Sequence, residues 1–313
     1  MNPRPAAKRI LVVGEINVDL VFKGCASVPV PGREVLAEDF VMTPGSSSMI
    51  CAMGLARLDN PVAFHGKLGD DPWGAYCLSA LREAGIGVAS LRADARLRTG
   101  VTASLSTVKD RALVTFAGSI AALHEADVDA ALLATAEHLH VSSYYLQSGL
   151  RADCAALFAR AHAAGLSTSL DPGCDPDDRW GADLIDALRH VDVFLPNEEE
   201  LRAITGASDL TVALQSLENG RTRTVVKRGR HGCATLDRGL LEQDPACTVD
   251  AVDSTGAGDS FDAGFLHGWL RQWPLRECLR WGNACGALST RGVGGTSAQA
   301  DAAEVRALLA APA

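Results

Sequence analysis

Val252-Asp253-Ser254-Thr255-Gly256-Ala257-Gly258-Asp259-Ser260-Phe261 runs straight into a helical stretch at 262–270. Small residues followed by a helix gather several backbone N–H groups at a positive helix end, which is a ready anion site. Asp259 falls in the expected first turn, where a carboxylate can point at whatever those N–H groups bind. A carboxylate beside an anion hole suits phosphoryl transfer: the backbone stabilises developing charge while the carboxylate accepts an alcohol proton. Gly-x-Gly before a helix is by itself a weak signal, and a tight turn with a dipole-favoured acid would look alike. The whole ten-residue string is far more specific.

Outward from that string the chain alternates. Ile10 to Val13 is a short apolar run ending at Gly14, as in a strand buried on both faces, and similar runs recur at 62–65, 138–142, 167–171, 191–195 and 224–227. Alanine- and leucine-rich stretches at helical spacing lie between them, at 50–58, 74–84, 152–164, 183–189 and 198–204. Such alternation predicts an α/β fold, a mostly parallel sheet covered by helices, with ligands at the carboxyl ends of the strands. Two segments break the rhythm. Residues 19–43 are rich in Val, Pro and Gly without a helical period, and 99–117 reads as two strands around a polar turn at Lys109-Asp110-Arg111. Both are expected to form an antiparallel β excursion, a lid or dimer surface on one domain spanning 1–313. The alanine-rich tail at 298–313 reads as a final helix.

The 313 residues are 47% hydrophobic and 21% charged, ordinary globular composition. A net charge of −9 and a pI near 5.4 argue against nucleic acid or an anionic membrane as partner, because phosphate neutralisation needs a basic face. An anionic cofactor would have to be held by local backbone donors, a few cations and bound metal. Nine cysteines include no CxxC pair, so buried reduced thiols in a cytoplasmic protein are expected. The short apolar run near the amino terminus is expected to be a buried first strand and not a signal peptide, and no stretch reaches the roughly 18 apolar residues of a membrane helix. His138 and His140 alternate along one strand; with no third ligand nearby, packing is expected over a metal pair.

The 252–261 string resembles the carboxy-terminal signature of the ribokinase, or phosphofructokinase B, family of carbohydrate kinases, which usually reads Asp-Thr-Thr-Gly-Ala-Gly-Asp-Ser/Thr-Phe. Only Ser254 differs. The resemblance implies a ribokinase-like three-layer α/β/α domain with a small β lid. It makes Asp259 the catalytic base, gives the anion hole to Gly256, Ala257 and Gly258, and has Asp253 and Thr255 help hold a monovalent cation. Gly14-Glu15-Ile16-Asn17-Val18-Asp19 looks like the family's opening strand, whose aspartate binds sugar hydroxyls. Asn197 to Glu200 resembles its Asn-x-x-Glu element, which would orient magnesium-bound water; an N-cap Asn with first-turn acids would look similar. Lys227-Arg228-Gly229-Arg230-His231-Gly232 resembles the strand and glycine turn flanking the nucleotide, with Lys227 and Arg228 offsetting triphosphate charge or simply forming a solvated turn. Asn283 lies in a helix that resembles the one beside adenine, and the loop 290–295 would complete the cation site.

The match weakens at Thr43-Pro44-Gly45-Ser46-Ser47-Ser48-Met49. The family usually has Gly-Gly, small residues and an Asn there. Gly45 fits the second glycine, Pro44 cannot donate an N–H, and Met49 stands where Asn is common. Ser46 and its neighbours can cap a helix or face a ligand. Tyr144 and Tyr145 either pack on a ring acceptor or belong to the core, and Asp171 and His65 sit at strand ends as candidate pocket residues.

The expected function is ATP- and Mg2+-dependent phosphorylation of a hydroxyl, best a hydroxymethyl, on a small sugar or sugar-like acceptor, with K+ as a further cation. A nucleoside acceptor, or a catalytically silent regulatory protein that binds sugar or nucleotide, are the alternatives. A dinucleotide-dependent oxidoreductase would need Gly-x-Gly-x-x-Gly after the first strand, and Gly14-Glu15-Ile16-Asn17 does not supply it. No Walker-type phosphate loop occurs. A homodimer through the lid is a further expectation.

Overall fold

The computed structural model describes residues 9–107 and 111–311. The chain opens with β1 (Ile10–Val13), β2 (Asn17–Cys25) and β3 (Asp39–Pro44), then α1 (Ser47–Arg57) and β4 (Val62–His65). A small parallel pair, β5 (Lys67–Gly69) and β6 (Arg92–Asp94), brackets α2 (Pro72–Glu83). β7 (Gly100–Thr107) and β8 (Arg111–Phe116) precede α3 (Ala130–Leu133), β9 (His138–Val141), α4 (Ser148–Arg151), α5 (Cys154–Ala163) and β10 (Ser167–Leu170). Next come α6 (Asp183–Leu188), β11 (Val193–Phe194), α7 (Glu198–Thr205), α8 (Leu210–Ser216) and β12 (Arg223–Lys227). The hairpin β13 (Cys233–Asp237) and β14 (Leu240–Asp244) leads to α9 (Ala257–Trp269), α10 (Leu275–Ser289) and α11 (Ala302–Ala310).

Eight strands form the central sheet in the order β14-β13-β12-β11-β10-β9-β1-β4. Pairing is parallel from β12 to β4, and β13 and β14 add an antiparallel edge. The two-residue period of β1 divides the core. Ile10 and Val12 pack with Met49, Leu55, Leu81 and Phe265 on one face, while Leu11 and Val13 pack with Phe158, Leu184, Leu201 and Leu214 on the other. Helices cover both faces, so β1 needs to be apolar throughout, and all four of its residues are buried.

On the Ile10–Val12 face the two histidines of β9 join β10 in a ladder. His138 bonds Ser167 and Ser169 through Nδ1 and Nε2 at 2.9 and 2.8 Å; His140 bonds Ser169 and Ser142 at 2.7 Å each. Every ring nitrogen has a serine, so the alternation is strand packing. Burial pushes His140 down to about 4.

The two irregular segments meet in a second sheet of order β3-β2-β7-β8. The outer pairs are antiparallel, but the central pair β2–β7 is parallel, with Asp19 opposite Thr102. This corrects the expectation of a wholly antiparallel lid. β2 and β7 belong to different excursions and run in the same direction, so the sheet that unites the excursions has a parallel seam. Lys109 and Asp110 of the expected polar turn lie outside the described residues. Phe40, Leu113, Val114 and Phe116 of this sheet are exposed.

Candidate active site

The turn before α9 is built on Gly256, whose φ is +73°. A Cβ there would lie 2.5 Å from the Gly295 Cα, so glycine is required on both backbone and steric grounds. No side chain caps α9. The Ala257 N–H turns back to the Ser254 carbonyl at 3.2 Å, and the Gly258 and Asp259 N–H groups have no partner among the described residues. Both residues line a cleft of about 680 Å³, together with Ser47, Arg111 and Asn283. At that surface, lined also by Ser47, Asp259 is half-buried. Desolvation and then the charge of Asp171 push its carboxyl up to about 7, with Lys227 opposing.

Lys227, expected to face a triphosphate or to lie in a solvated turn, lines the cleft and is tied down at its tip. Its Nζ is held by Asp171 and, at 3.1 Å each, by both carboxylate oxygens of Asp262. A buried ammonium needs such partners. Its tip passes under the anion turn, 3.5 Å from where a Gly258 Cβ would be. Asp171 lines the cleft but binds Lys227, and its Oδ1 accepts from the Gly173 N–H at 2.7 Å. Both of its carboxylate oxygens thus have a partner within the protein. Asp171, Asp259 and Asp262 bring carboxylate oxygens within 4.8 Å of one another. That is metal-like spacing, but the lysine already neutralises part of it.

Asn197 caps α7: its side chain takes the Glu200 N–H at 2.9 Å, and Glu200 returns to the Asn197 N–H at 2.8 Å. Both still line the cleft, as do Gly229 and Gly232. Burial, followed by the charge of Asp171, pushes Glu200 up to about 7. Glu200 and Asp259 add two carboxyls to the cleft lining beside the Lys227 pairs, and hard oxygen donors of this kind suit Mg2+. Arg228 pairs with Glu198 at 3.0 Å and Gln243 at 2.8 Å, beside the cleft and outside its lining. The Asn283 amide donates to the Asp244 carboxylate and to the Asp244 and Pro245 carbonyls. Its nitrogen thus fastens the end of β14 even though the residue lines the cleft. Asp253 accepts from the Thr255 N–H and hydroxyl at 2.9 and 2.7 Å and from the Gly294 N–H at 2.8 Å, joining the α9 turn to the 290–295 loop.

On the lid side, Asn17 donates to Asp19 at 2.9 Å and to Thr102 at 3.1 Å. A Cβ on Gly45 would lie 2.7 Å from the Asn17 Nδ2, so only glycine lets α1 start against this pair. Burial pushes Asp19 up to about 6. Ser46 caps α1 through the Met49 N–H at 2.9 Å and donates to the Glu15 carbonyl at 2.7 Å. Met49 and Tyr144 are core residues, not acceptor contacts: Met49 packs with Val12 and Phe265, and the Tyr144 hydroxyl donates to Asp183 at 2.9 Å. Pro44 is tolerated at the end of β3, where Gly45 supplies the N–H to Asn17.

Three neighbours escaped the sequence reading. Glu15 is buried and accepts from the Ser48 N–H and hydroxyl. Ser47 lines the cleft with Asp259. Arg111 crosses from the lid to the Thr255 hydroxyl at 2.7 Å. A glutamate directly after a buried strand and three successive serines were the available signals; nothing local marked Arg111.

The profile of the pfkB family carbohydrate kinases matches residues 7–302. An ATP-dependent ribose-1-phosphate kinase of Halopiger xanaduensis is 32% identical over 294 residues, 93% of this chain and 94% of that protein. A fructokinase of Klebsiella pneumoniae is 32% identical over 308 residues, 93% of this chain and 95% of its own. Among solved structures, Arabidopsis thaliana ribokinase complexed with ribose and ATP superposes at a TM-score of 0.84 with 22% identity, covering 98% of this chain and 100% of that one. Vibrio cholerae fructokinase bound to fructose, ADP and calcium gives 0.80 with 25% identity, covering 97% and 99%. The chain belongs to the pfkB family of carbohydrate kinases.

Proposed function

We propose that this kinase transfers the γ-phosphoryl of ATP to a hydroxymethyl group of a small sugar, with Asp259 as general base. The observation that carries the reading is the meeting of Asp259 with two unpartnered N–H groups at the uncapped start of α9. Asp259 takes the proton of the attacking hydroxyl as the new O–P bond forms and the bond to the ADP oxygen breaks. The Gly258 and Asp259 N–H groups receive charge developing on the phosphoryl oxygens. The turn before α1 carries Gly45 against Asn17 and Asp19, which would hold acceptor hydroxyls. Glu200 and Asn197 would hold Mg2+ through water, and the metal would supply charge neutralisation to the phosphates. Asp253 and the carbonyls of 290–295 would serve K+.

Tyr144 and Met49, which would have favoured a flat apolar acceptor, lie in the core, and this supports a sugar over a nucleoside. The exposed Phe40, Leu113, Val114 and Phe116 support pairing of two lids in a homodimer. Light scattering showing a monodisperse monomer would count against that pairing.

The test is ADP release from Mg-ATP with K+ over pentoses, hexoses, sugar acids, sugar phosphates and nucleosides. Turnover on a sugar that is lost in Asp259→Asn is the expected result. Equal turnover in the variant would remove Asp259 as base.

A further inference from the structure

The charged side chains of the four lid strands are Asp19, Lys23, Asp39 and Arg111. Lys23 and Asp39 pair with each other at 2.9 Å. Asp19 has its place in holding acceptor hydroxyls, and Arg111 has no task in the reaction as described. Side chains alternate across a strand, so one face of the lid reads in rungs. Register sets Thr43, Asp19, Thr102 and Thr115 side by side across β3, β2, β7 and β8. This rung is joined by hydrogen bonds: Asn17 bridges Asp19 and Thr102, and the Thr102 and Thr115 hydroxyls meet at 3.0 Å. The next rung on the same face, Val41, Val21, Ser104 and Leu113, is mostly apolar. Arg111 stands one rung further along β8, opposite Ser106. The face turns toward the active site, because Leu113 and Arg111 both line the cleft.

A molecule lying under this face meets groups that read hydroxyls, then an apolar step that suits the C–H edge of a sugar, then a guanidinium. Two residues advance a strand by about 6.6 Å, so the Thr115 and Arg111 backbones are about 13 Å apart. The long arginine side chain can shorten that gap toward the length of a sugar. Its Nη1 donates to the Thr255 hydroxyl at 2.7 Å, a neutral partner just before the anion turn. A guanidinium presents five N–H donors in a planar fork, which matches a carboxylate or a phosphate two bonds at a time.

We propose that the acceptor is an anionic sugar, with a phosphate or a carboxylate at the end away from the attacked hydroxyl, and that Arg111 is the specificity-determining residue that grips this anion. The inference rests on the kinase reading above and adds the acceptor's charge to it. Thr102 and Thr115 seat the hydroxyls beside Asp19, two rungs from Arg111, so the acceptor's negative end is kept apart from the Asp19 carboxylate. A neutral sugar would strip water from the guanidinium and return no charge to it, so the face selects against neutral acceptors as well as for anionic ones.

The experiment compares kcat/KM with Mg-ATP for ribose 1-phosphate, fructose 6-phosphate and gluconate against ribose, fructose and glucose. The wild type should favour an anionic acceptor over its neutral parent by about 10- to 100-fold, the range of a hydrogen-bonded charge, and the winner tells phosphate from carboxylate. Arg111→Met should erase most of that ratio, and Arg111→Lys should keep part of it. A wild type that uses the neutral parents as well as the anionic sugars would overturn the proposal. So would an equal loss on both kinds in Arg111→Met, because the arginine would then only tie the lid to Thr255. If no sugar is phosphorylated, the kinase reading fails, and thermal melts with the same compounds carry the test. Stabilisation by an anionic sugar that vanishes in Arg111→Met would uphold the anion site, and its absence in the wild type would overturn it.

Discussion

Two helices bring their amino ends to one cleft and treat them in opposite ways. At α9 the first turn has no side-chain cap, and two N–H groups have no partner among the described residues. At α1 the protein closes its own end: Ser46 takes the Met49 N–H and the Glu15 carboxylate takes the Ser48 N–H at 3.2 Å. Both ends have the same dipole and the same unsatisfied donors. What differs is whether the chain supplies the anion or waits for one. In the proposed function the sealed end would recognise an acceptor through side chains, and the open end would grip phosphate through backbone.

That contrast can be broken at several points. The largest effect is expected for Asp259→Asn, which should cut kcat about 10²–10⁴-fold with ATP binding by calorimetry retained. Gly256→Ala forces a side chain onto φ +73° and against Gly295, so a stability loss of about 1–3 kcal/mol is expected in thermal melts, along with slower turnover. Glu15→Ala should cost about 1–3 kcal/mol by leaving the Ser48 donors unpaired, and added phosphate should restore part of the melting temperature. Indifference to phosphate would mean that the two ends do not differ only in who supplies the anion.

The pH response separates activity from stability. Asp259 is raised to about 7, so kcat should fall as pH drops below that value. The sign for folding is opposite. A carboxyl raised above its unfolded value stabilises most at low pH, and that contribution is lost as pH rises through about 7. Asp259→Asn should therefore melt higher than wild type at pH 8, with the margin shrinking toward pH 5. The smallest effect belongs to the sealed end. Ser46→Ala should cost about 1 kcal/mol through the lost cap, and Ser46→Gly less, because Ser46 sits at φ 70° and glycine relieves it.

The sheet and its helices were legible because their signals are periodic: β1 is apolar throughout and feeds two cores. The α9 turn was legible because its chemistry is contiguous in sequence. The parallel β2–β7 seam was not, since strand direction across two separate excursions depends on tertiary pairing. The ion pairs of Lys227 were not legible for a related reason. A lysine beside an arginine and a glycine reads as solvated, and its partners lie 56 and 35 residues away. Tyr144 and Met49 show the limit of motif alignment: a position can match while its side chain turns inward.

The serine–histidine ladder between β9 and β10 has a direction. Ser167 donates to the Glu137 carbonyl, so it must accept from the His138 Nδ1–H. The constraint then passes upward: Ser169 donates to His138 and accepts from His140, and Ser142 donates to the last ring nitrogen. Both imidazoles are thereby fixed in one tautomer by a single carbonyl at the far end of the strands. The ladder also works as a proofreader of strand alignment. A slip of β10 by one residue would set Thr168 and Leu170 on the imidazole face and strand ring nitrogens in the interior, so misaligned pairings are rejected by chemistry as well as by shape.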